Sequence, residues 1–376
     1  MRIFIEPIEP LLFRTGRPFD AGESGYAETL FPPTPETLQG AIRATIATHW
    51  DRTKTLESLF SHDELVNLIG NRESYGRFRI TGLTLGRRTA NKKIERLFPA
   101  PAHLLQVQDE QGKKPQICLV PDRKPELISD LPDGAYYLFP DHKPDSKLEP
   151  LNYWLTERGL HKMLHTHDTL LQEDIVKEHQ IYTLEPRLGI GMDNAAKTTR
   201  EGLLYQTQMV RMSHGYGFVV DIRLSTSPES TDLIDDDKTQ QLLRLPESGR
   251  MTMGGERRTA SFEIISDSAS TQTLEHKRQG NLLYLATPAA FTNGWQPNIW
   301  QAPLLPPIAA AINRYQPIGG WYLNPQNAGG SNKTMRRCVP AGSVYFFDQT
   351  ITVMRPLTEY GWQIGYGITY TGDWRR

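Results

Sequence analysis

Short apolar runs, separated by polar segments rich in glycine and proline, make up most of this chain. Because most of these runs have the length of a strand, the pattern predicts many short strands joined by long loops. The strand candidates are residues 2–6, 116–120, 134–139, 217–224, 260–265, 281–286, 343–347 and 362–370. A few helices mixed with such strands favour an α+β fold over a doubly wound parallel sheet.

Three segments have the residue spacing of helices, and these are residues 35–50, 55–70 and 160–180. The first has a well-marked start, because Thr34 can cap it and Pro35 suits the first helical position. Glu36 follows in the first turn, where a carboxylate interacts favourably with the positive end of the helix dipole. An apolar stripe runs along this helix, and Arg43 lies off the stripe.

The length of 376 residues indicates two domains, or one large domain with insertions. A soft boundary lies near residues 150–160, so the predicted domains are 1–155 and 156–376. No apolar run approaches the roughly 20 residues that a membrane-spanning helix needs, and the N-terminus lacks a signal-peptide core. We therefore expect a cytoplasmic protein without a membrane partner, whose Cys118 and Cys338 are free thiols.

Charge is distributed unevenly along the chain, although the formal net charge is only −1. Residues 72–96 carry eight basic side chains against two acidic ones, whereas residues 232–237 carry four aspartates. A run of like charge usually belongs to a solvated face, but a basic run can also bind nucleic acid locally.

The motifs of common enzymes are missing from the sequence. It has no phosphate-binding loop, no dinucleotide fingerprint after a strand, no nucleophile elbow and no His-Glu-x-x-His pair. His161 and His165 stand one helical turn apart, as metal ligands would, but the polar side of the same segment is acidic and no cysteine is near. We therefore expect no catalytic residue, no cofactor and no metal ion.

The opening forty residues contain the first candidate binding element. An apolar strand leads into an Arg-Gly-Arg turn with Arg14 and Arg17, and the helix at 35–50 adds Arg43. A strand–turn–helix unit with arginines suits a backbone phosphate or a carboxylate partner. A capped core helix behind a solvated turn explains the same residues without any ligand.

A second candidate element is the segment 185–211, in which two strand-like pieces flank a polar loop. This arrangement predicts a projecting hairpin that begins near Arg187 and ends near Arg211, with Lys197 and Arg200 at its tip. An ordinary surface hairpin is the alternative.

A third element is the turn at residues 253–258, which combines two glycines with two arginines. Gly254 and Gly255 allow a positive φ or a close backbone approach, and Arg257 and Arg258 follow at once. Backbone N–H groups and guanidinium groups together can hold phosphates in such a turn.

The fourth element is the segment 316–347, in which glycine, basic and aromatic residues are interleaved. Single-stranded RNA binding uses cations along the backbone, aromatic rings that stack on bases, and glycines that let the strand come close. Trp321 is the candidate for stacking, although it and Tyr345 can also be core residues. The predicted RNA contacts of this segment are Gly319, Gly320, Lys333, Arg336 and Arg337.

Taken together, these elements resemble the third-subunit family of the Cmr complex, the type III-B CRISPR effector, within the RAMP superfamily. The combination of Phe-Arg-Thr-Gly-Arg-Pro-Phe near the start with Pro-Ala-Gly-Ser-Val-Tyr-Phe-Phe near the end is specific to the family. The stretches that carry the resemblance are Phe13–Phe19, Phe31–Arg43, Glu185–Tyr205, Gly254–Arg258, Val339–Phe347 and Gly365–Tyr370.

The resemblance implies two ferredoxin-like, RRM-related domains with insertions and a glycine-rich loop. It implies a non-catalytic subunit that holds the repeat-derived 5′ tag of the CRISPR RNA and bridges the large polymerase-like subunit to the first backbone subunit. Target RNA would be met only indirectly. The hairpin around residues 190–203 resembles the thumb with which RAMP backbone proteins clamp guide–target duplexes, whereas the basic stretch 72–96 lies outside the matched motifs.

Two alternatives stay open. Some RAMP proteins are metal-independent ribonucleases that cut precursor CRISPR RNA, and such chemistry needs a positioned base beside a phosphate-holding cation. His214 near Arg211 is the better candidate for that base, and His49 near Arg43 is the weaker one. A β-rich carbohydrate-binding protein is the other alternative, and it rests only on seven tryptophans and the remaining aromatic residues.

Overall fold

A computed structural model of the chain describes residues 1–15, 26–107, 116–122, 136–144, 146–193, 195–265, 279–297, 306–322 and 331–374. The α-helices of this part are α1 (Pro35–Trp50), α2 (Leu56–Leu59), α3 (Asp63–Ile69), α4 (Glu157–His161), α5 (Glu178–Ile181) and α6 (Asp236–Leu243).

The strands are short, as the spacing of apolar runs predicts. They are β1 (Arg2–Pro7), β2 (Tyr26–Ala27), β3 (Phe78–Arg88), β4 (Ile94–Pro99), β5 (Leu104–Val107), β6 (Gln116–Asp122), β7 (Tyr137–Pro140), β8 (Leu148–Pro150), β9 (Tyr153–Thr156), β10 (Ile175–Lys177), β11 (Tyr182–Asp193), β12 (Thr198–Met212), β13 (Tyr216–Leu224), β14 (Ser248–Met253), β15 (Arg258–Ile265), β16 (Gln279–Leu285), β17 (Ala289–Ala290), β18 (Ala309–Ala311), β19 (Gln316–Ile318), β20 (Trp321–Tyr322), β21 (Ser331–Asn332), β22 (Arg336–Val339), β23 (Val344–Thr352) and β24 (Thr369–Gly372). Helices and mainly antiparallel strands are both present, so the α+β class is confirmed.

The chain forms two compact units, and each is built from three separate segments. Unit 1 comprises Met1–Thr81, His179–Ser266 and Pro317–Arg337, and the remaining segments, which are Gly82–Glu178, Asp267–Gln316 and Cys338–Arg376, form unit 2. The units therefore do not divide near residue 155, where the sequence predicts a boundary. The reason is non-local pairing, because β1 lies between strands that follow it by more than 200 residues.

The sheet of unit 1 is centred on β1. Ile3 lies opposite Val220 of β13, and Phe4 lies opposite Glu263 of β15, both in antiparallel register. The first part of β3 flanks β13, and β14 flanks β15 on the other side, so the order is β3-β13-β1-β15-β14. Three successive residues of β1 are buried, which places this strand in the interior with both faces covered.

Helix α1 begins where the sequence predicts it. The Thr34 side chain accepts a hydrogen bond from the backbone N–H of Thr37 at 3.4 Å, and Pro35 is the first helical residue. Leu38, Ile42 and Ile46 are buried along the apolar stripe, and α1 packs against β14.

A long antiparallel hairpin projects within unit 1 and consists of β11 and β12. Glu185 lies opposite Met209, and the register shifts between Ile190 and Met192 near the tip. Large apolar side chains on one face of the hairpin are exposed, namely Leu184, Leu188, Ile190 and Met192.

Unit 2 is held together by a sheet with the order β18-β23-β16-β24. Its core includes Leu283, Leu285, Tyr345 and Phe347, all completely buried. Pairings of β4 with β3 and β9, and of β5 with β6 and β8, add further strands to this unit. Both cysteines of the chain, Cys118 and Cys338, are thiols in this structure.

The predicted helix at 160–180 is wrong beyond its first turns. Helix α4 passes into a π-helical turn at Lys162–Thr166, and His167 ends that turn with φ 57°. Asp174 accounts for the change, because its buried carboxylate accepts hydrogen bonds from Arg158 Nε at 2.6 Å and Lys162 Nζ at 2.7 Å. Bonding those two side chains requires the chain to fold back on itself rather than to continue as a helix.

Two other predicted elements, one helix and one strand, are interrupted in the structure. The predicted helix at 55–70 is two helices, α2 and α3, and Gly70 ends the second with φ 75°. The predicted strand at 362–370 is a 3₁₀ turn, Trp362–Ile364, followed by β24. Gly365 and Gly367 have φ values of 99° and 67°, which interrupt a strand there. In the described part of the chain, no helix is long and apolar enough to cross a lipid bilayer.

Candidate nucleic-acid interface

A small pocket lies at the start of helix α1 within unit 1. Its volume is about 210 Å³, and its lining comes from three distant parts of the sequence. The lining residues are Phe13, Arg14, Leu30, Thr34, Glu36, Thr37, Gly319, Gly320 and Lys333. Four of the sequence-predicted contact residues, Arg14, Gly319, Gly320 and Lys333, are thus brought together.

Arg14 reaches this pocket because its segment is bonded to the residues before α1. The backbone N–H of Leu30 donates to the Phe13 carbonyl at 2.8 Å, and the Phe13 N–H donates to Thr29 Oγ1 at 3.1 Å. Arg14 forms a β-bridge with Thr29, and its side chain is exposed. Arg17 lies outside the residues that the structure describes.

Lys333 closes the pocket from the glycine-rich segment. Its N–H donates to the Gly320 carbonyl at 2.8 Å, and its ammonium group lies 3.2 Å from Glu36 Oε2. A Cβ atom on residue 320 would lie 3.0 Å from Lys333 Cδ, so glycine at this position leaves space for the lysine stem. Two cations, one carboxylate and the positive end of the α1 dipole therefore meet at one site.

The other predicted residues of these two segments lie elsewhere. Arg43 does not line the pocket, because its Nη2 donates to the Asn71 carbonyl at 3.1 Å and its guanidinium lies 5.2 Å from the centroid of the Phe60 ring. Burial lowers the pKa of Arg43 to about 10. Arg336 donates to the Thr334 carbonyl at 3.3 Å at the start of β22, and Arg337 follows it with an exposed side chain. The side chain of Trp321 lies outside the described part.

The base of the hairpin carries a second group of predicted residues. Glu185 accepts hydrogen bonds from Arg187 Nε at 2.9 Å and Nη2 at 2.6 Å, and from Arg211 Nε at 2.7 Å. Hydrogen bonds from Arg187, and then from Arg211, lower the pKa of Glu185. The two arginines are therefore held side by side by one carboxylate.

The glycine–arginine turn packs onto the N-terminal segment that leads to Arg14. Gly255 N–H donates to the Leu12 carbonyl at 2.7 Å. Gly254 has φ 72°, and a Cβ atom there would lie 2.7 Å from the Leu12 carbonyl oxygen, so the close approach requires glycine. This contact places the turn next to Phe13 and hence beside the pocket.

The two arginines of this turn differ in their contacts. Arg258 forms an ion pair with Glu256, and its Nη1 lies 3.8 Å from Glu9 Oε1. Hydrogen bonds from Thr259 lower the pKa of Glu9, and the charges of Arg258 and Arg187 lower it further. Arg257 is exposed in a left-handed conformation with φ 50°.

The hairpin tip is a tight turn that holds Lys197, as the sequence predicts. Lys197 has φ 53°, and its N–H donates to the Asp193 carbonyl at 2.7 Å. The Asp193 carboxylate also accepts from the backbone of Ala195 at 2.9 Å, which fixes the turn. The side chain of Arg200 lies outside the described part of the chain.

Part of the basic stretch 72–96 is structural, because it contains β3 and the start of β4, whereas Arg72, Lys92 and Lys93 are exposed. Arg79 is buried and donates to the carbonyls of Pro228 at 2.6 Å and Ser230 at 3.3 Å, which ties down the loop after β13. Arg96 is also buried and forms an ion pair with Glu157 at 2.6 Å. Neither arginine is in a position to contact RNA.

The histidines singled out by their spacing make no metal cluster. The rings of His161 and His165 lie 5.0 Å apart, and in the described residues no three His, Cys, Asp or Glu side chains are grouped to hold a metal. His214 is fully exposed with Nδ1 3.5 Å from Glu6, and His49 Nδ1 lies 2.9 Å from the Thr45 carbonyl at the end of α1.

A family model described as CRISPR-associated protein (Cas_Cmr3) matches residues 3–374. Among solved structures, a chain of the cryo-EM structure of the type III-B Cmr-beta bound to cognate target RNA and AMPPnP, state 1, is 16% identical, with a TM-score of 0.48. A chain of the Cmr-beta structure bound to cognate target RNA gives 16% identity and a TM-score of 0.47. Both matches cover 92% of this chain and 86% of the other. No curated protein matches the chain.

The family match covers almost the whole sequence and defines the class of the protein as CRISPR-associated. More specifically, the chain belongs to the Cas_Cmr3 family, the third subunit of the type III-B Cmr effector complex. This confirms the resemblance that the sequence motifs indicate.

Proposed function

We propose that this protein is a non-catalytic, RNA-binding subunit that holds the 5′ tag of the CRISPR RNA in a cytoplasmic Cmr complex. It would bridge the large polymerase-like subunit to the first backbone subunit and meet target RNA only indirectly. The observation that carries the RNA-binding role is the pocket at the start of α1, where Arg14, Lys333 and the glycines 319–320 converge.

The topology of unit 1 supports the ferredoxin-like, RRM-related fold that the family resemblance implies. The chain order β1, α1, β3, β13, α6, β15 is a β-α-β-β-α-β sequence. The spatial order β3-β13-β1-β15 places the first strand in the centre, next to the last, and β14 extends the edge. For unit 2, the proposal of a second such domain rests on the resemblance alone.

The electrostatics of unit 1 support an RNA backbone as the ligand. The pocket offers an exposed arginine, a lysine and a helix N-terminus, and each of these stabilises a phosphate. The turn with Arg257 lies beside it through the contact between Gly255 and Leu12. A strand of RNA could therefore meet several cations of unit 1 in succession, as single-stranded RNA binding requires.

The surroundings of the two candidate bases support a non-catalytic role. A general base acts best when its position is fixed beside the phosphate. His214 is fully exposed just after β12, at the base of the hairpin, with Glu6 near its ring. His49 is held by Thr45 at the far end of α1 from the pocket.

Removing the pocket cations tests the RNA-binding role. In the reconstituted Cmr complex, Arg14→Ala plus Lys333→Ala should reduce retention of tagged CRISPR RNA. The log–log salt slope should fall by about 0.7 for each phosphate that the variant no longer binds. Arg52→Ala is the matched control, since Arg52 is an exposed arginine beyond the other end of α1. Unchanged retention and slope in the double variant would contradict the role of the pocket.

The non-catalytic role has its own test. His214→Ala should leave CRISPR RNA maturation and target cleavage by the complex at wild-type rates. Loss of cleavage in a complex with normal subunit and RNA content would instead support a nuclease.

A further inference from the structure

Four of the cations predicted to contact RNA are paired with glutamates in this structure. Lys333 pairs with Glu36, and Arg258 pairs with Glu256 and Glu9. Arg187 and Arg211 share Glu185. The four cations of these clusters are matched by four carboxylates, so the clusters themselves carry little net positive charge.

A carboxylate and a phosphodiester use the same donors. Both are anions with two acceptor oxygens, and both bind the planar edge of a guanidinium group through paired hydrogen bonds. Arg187 directs Nε and Nη2 to a single oxygen of Glu185, so the edge that suits a phosphate is occupied by the carboxylate. A phosphate at this place has to displace Glu185.

Glu36 occupies an equivalent position in the pocket. It lies in the first turn of α1, where the helix dipole stabilises an anion, and its side chain is only 15% exposed. The ammonium group of Lys333 is directed to it at 3.2 Å. A phosphate that enters the pocket therefore competes with Glu36 for both the lysine and the helix terminus.

We propose that Glu36 and Glu185 set how strongly an RNA must bind to occupy this interface, because they compete with RNA phosphates for its cations. The proposal rests on the proposed RNA-binding function. An RNA that offers only phosphates must replace these carboxylates, so its net binding free energy is small. An RNA that also makes base contacts in the pocket binds strongly enough to displace them.

The test uses Glu36→Gln and Glu185→Gln in the full-length chain, since glutamine keeps the shape and removes the charge. Binding is measured by fluorescence anisotropy over a salt titration, with oligouridine and with tagged CRISPR RNA of equal length. Each variant should bind oligouridine about three- to tenfold more tightly. The salt slope should steepen by about 0.7 for each additional phosphate that the variant binds. The affinity for tagged RNA should rise by a similar factor, because it replaces the same carboxylates.

Glu64→Gln is the matched control. It removes the same charge from an exposed glutamate of α3, which pairs with Arg244 at 3.7 Å and lies outside the interface. Its effect on either RNA should stay below about twofold, because screening weakens the influence of a distant exposed charge.

Three results would overturn the proposal. Unchanged affinity would mean that the glutamates do not compete, and reduced affinity would mean that they position the cations. An increase equal to that of Glu64→Gln would show only a general charge effect. Failure of the proposed function is separate, because it would appear as unchanged RNA binding in Lys333→Ala. If Lys333→Ala weakens binding but neither glutamine variant strengthens it, only the proposal about the two glutamates is wrong.

Discussion

Replacing Arg96 by methionine tests whether the basic stretch 72–96 belongs to the protein core. Arg96 and Glu157 form a two-point ion pair, with Nη2 2.6 Å from Oε1 and Nε 3.3 Å from Oε2. Their side chains are only 6% and 10% exposed. Arg96 Nη1 also donates to the Tyr370 hydroxyl at 3.4 Å, and the guanidinium lies 5.6 Å from the centroid of Phe98.

The expected loss follows from the carboxylate that the substitution leaves behind. Removing one partner of a buried ion pair costs about 3–5 kcal/mol, because the remaining charge has neither solvent nor counterion. Arg96→Met should therefore lower the free energy of unfolding by that amount. The double variant Arg96→Met with Glu157→Leu should recover most of the loss, since an apolar pair of similar volume is often as stable as a buried ion pair.

The assay is urea unfolding of the full-length chain, followed by tryptophan fluorescence, and the control is Arg87→Met. Arg87 of β3 pairs with Glu95 of β4 at 2.6 Å, but both side chains are 29% exposed. A pair of that kind contributes about 1 kcal/mol or less. The reasoning is refuted if Arg96→Met loses no more stability than Arg87→Met, or if the double variant remains as unstable as the single one.

Two further predictions concern the buried side chains of His103 and Arg79. Burial, with a smaller effect of His167, lowers the pKa of His103 to about 4 from the ordinary 6.5. As the pH falls, the unfolded chain is therefore protonated at His103 before the folded protein is. The free energy of unfolding should be highest above about pH 6.5 and should fall by roughly 3 kcal/mol towards pH 4. Urea unfolding at several pH values measures this change. His103→Leu should remove this part of the pH dependence, and an unchanged profile would contradict it. Arg79→Met should speed limited proteolysis of the loop at residues 225–235, because Pro228 and Ser230 lose their donor, whereas the exposed Arg250→Met should not.

Elements with local signals could be predicted from the sequence. Helix α1 has its cap, its proline and its apolar stripe within 16 residues, and the structure contains it with the same ends. The hairpin of β11 and β12 is likewise a local structure, because its strands are adjacent in the chain and its tip is a short polar turn.

Elements that depend on distant partners could not be predicted in this way. The leucine spacing in 160–180 suggests one helix, but Asp174 binds Arg158 and Lys162 and breaks it. The stretch 72–96 was interpreted only by its positive charge, but it contains β3 and the start of β4. A signal was present, since Phe78, Ile80, Leu83 and Leu85 alternate in part with polar residues, as in a strand.

The sequence predicted which types of residue form the candidate site, but not which of them lie close together in the fold. Arg14 and Lys333 are more than 300 residues apart, and only the fold shows that they line one pocket. Arg43 is close to Arg14 in sequence, yet its side chain turns towards Asn71. The glutamates that pair with the cations were missed, because a search for basic residues does not ask which carboxylates lie beside them.

The near-zero net charge of the chain is consistent with selective rather than general RNA binding. Under the proposed function, a surface of unpaired cations would attract any RNA, because phosphate contacts carry no sequence information. Pairing with glutamates reduces that attraction, since each phosphate has to replace a carboxylate that is already tethered at the site. An RNA that places a base in the pocket of about 210 Å³ makes interactions that the phosphates alone do not supply. Glu36→Gln should therefore let an RNA without base contacts bind at concentrations at which the wild-type protein leaves it unbound, while the affinity for tagged RNA rises by a similar factor.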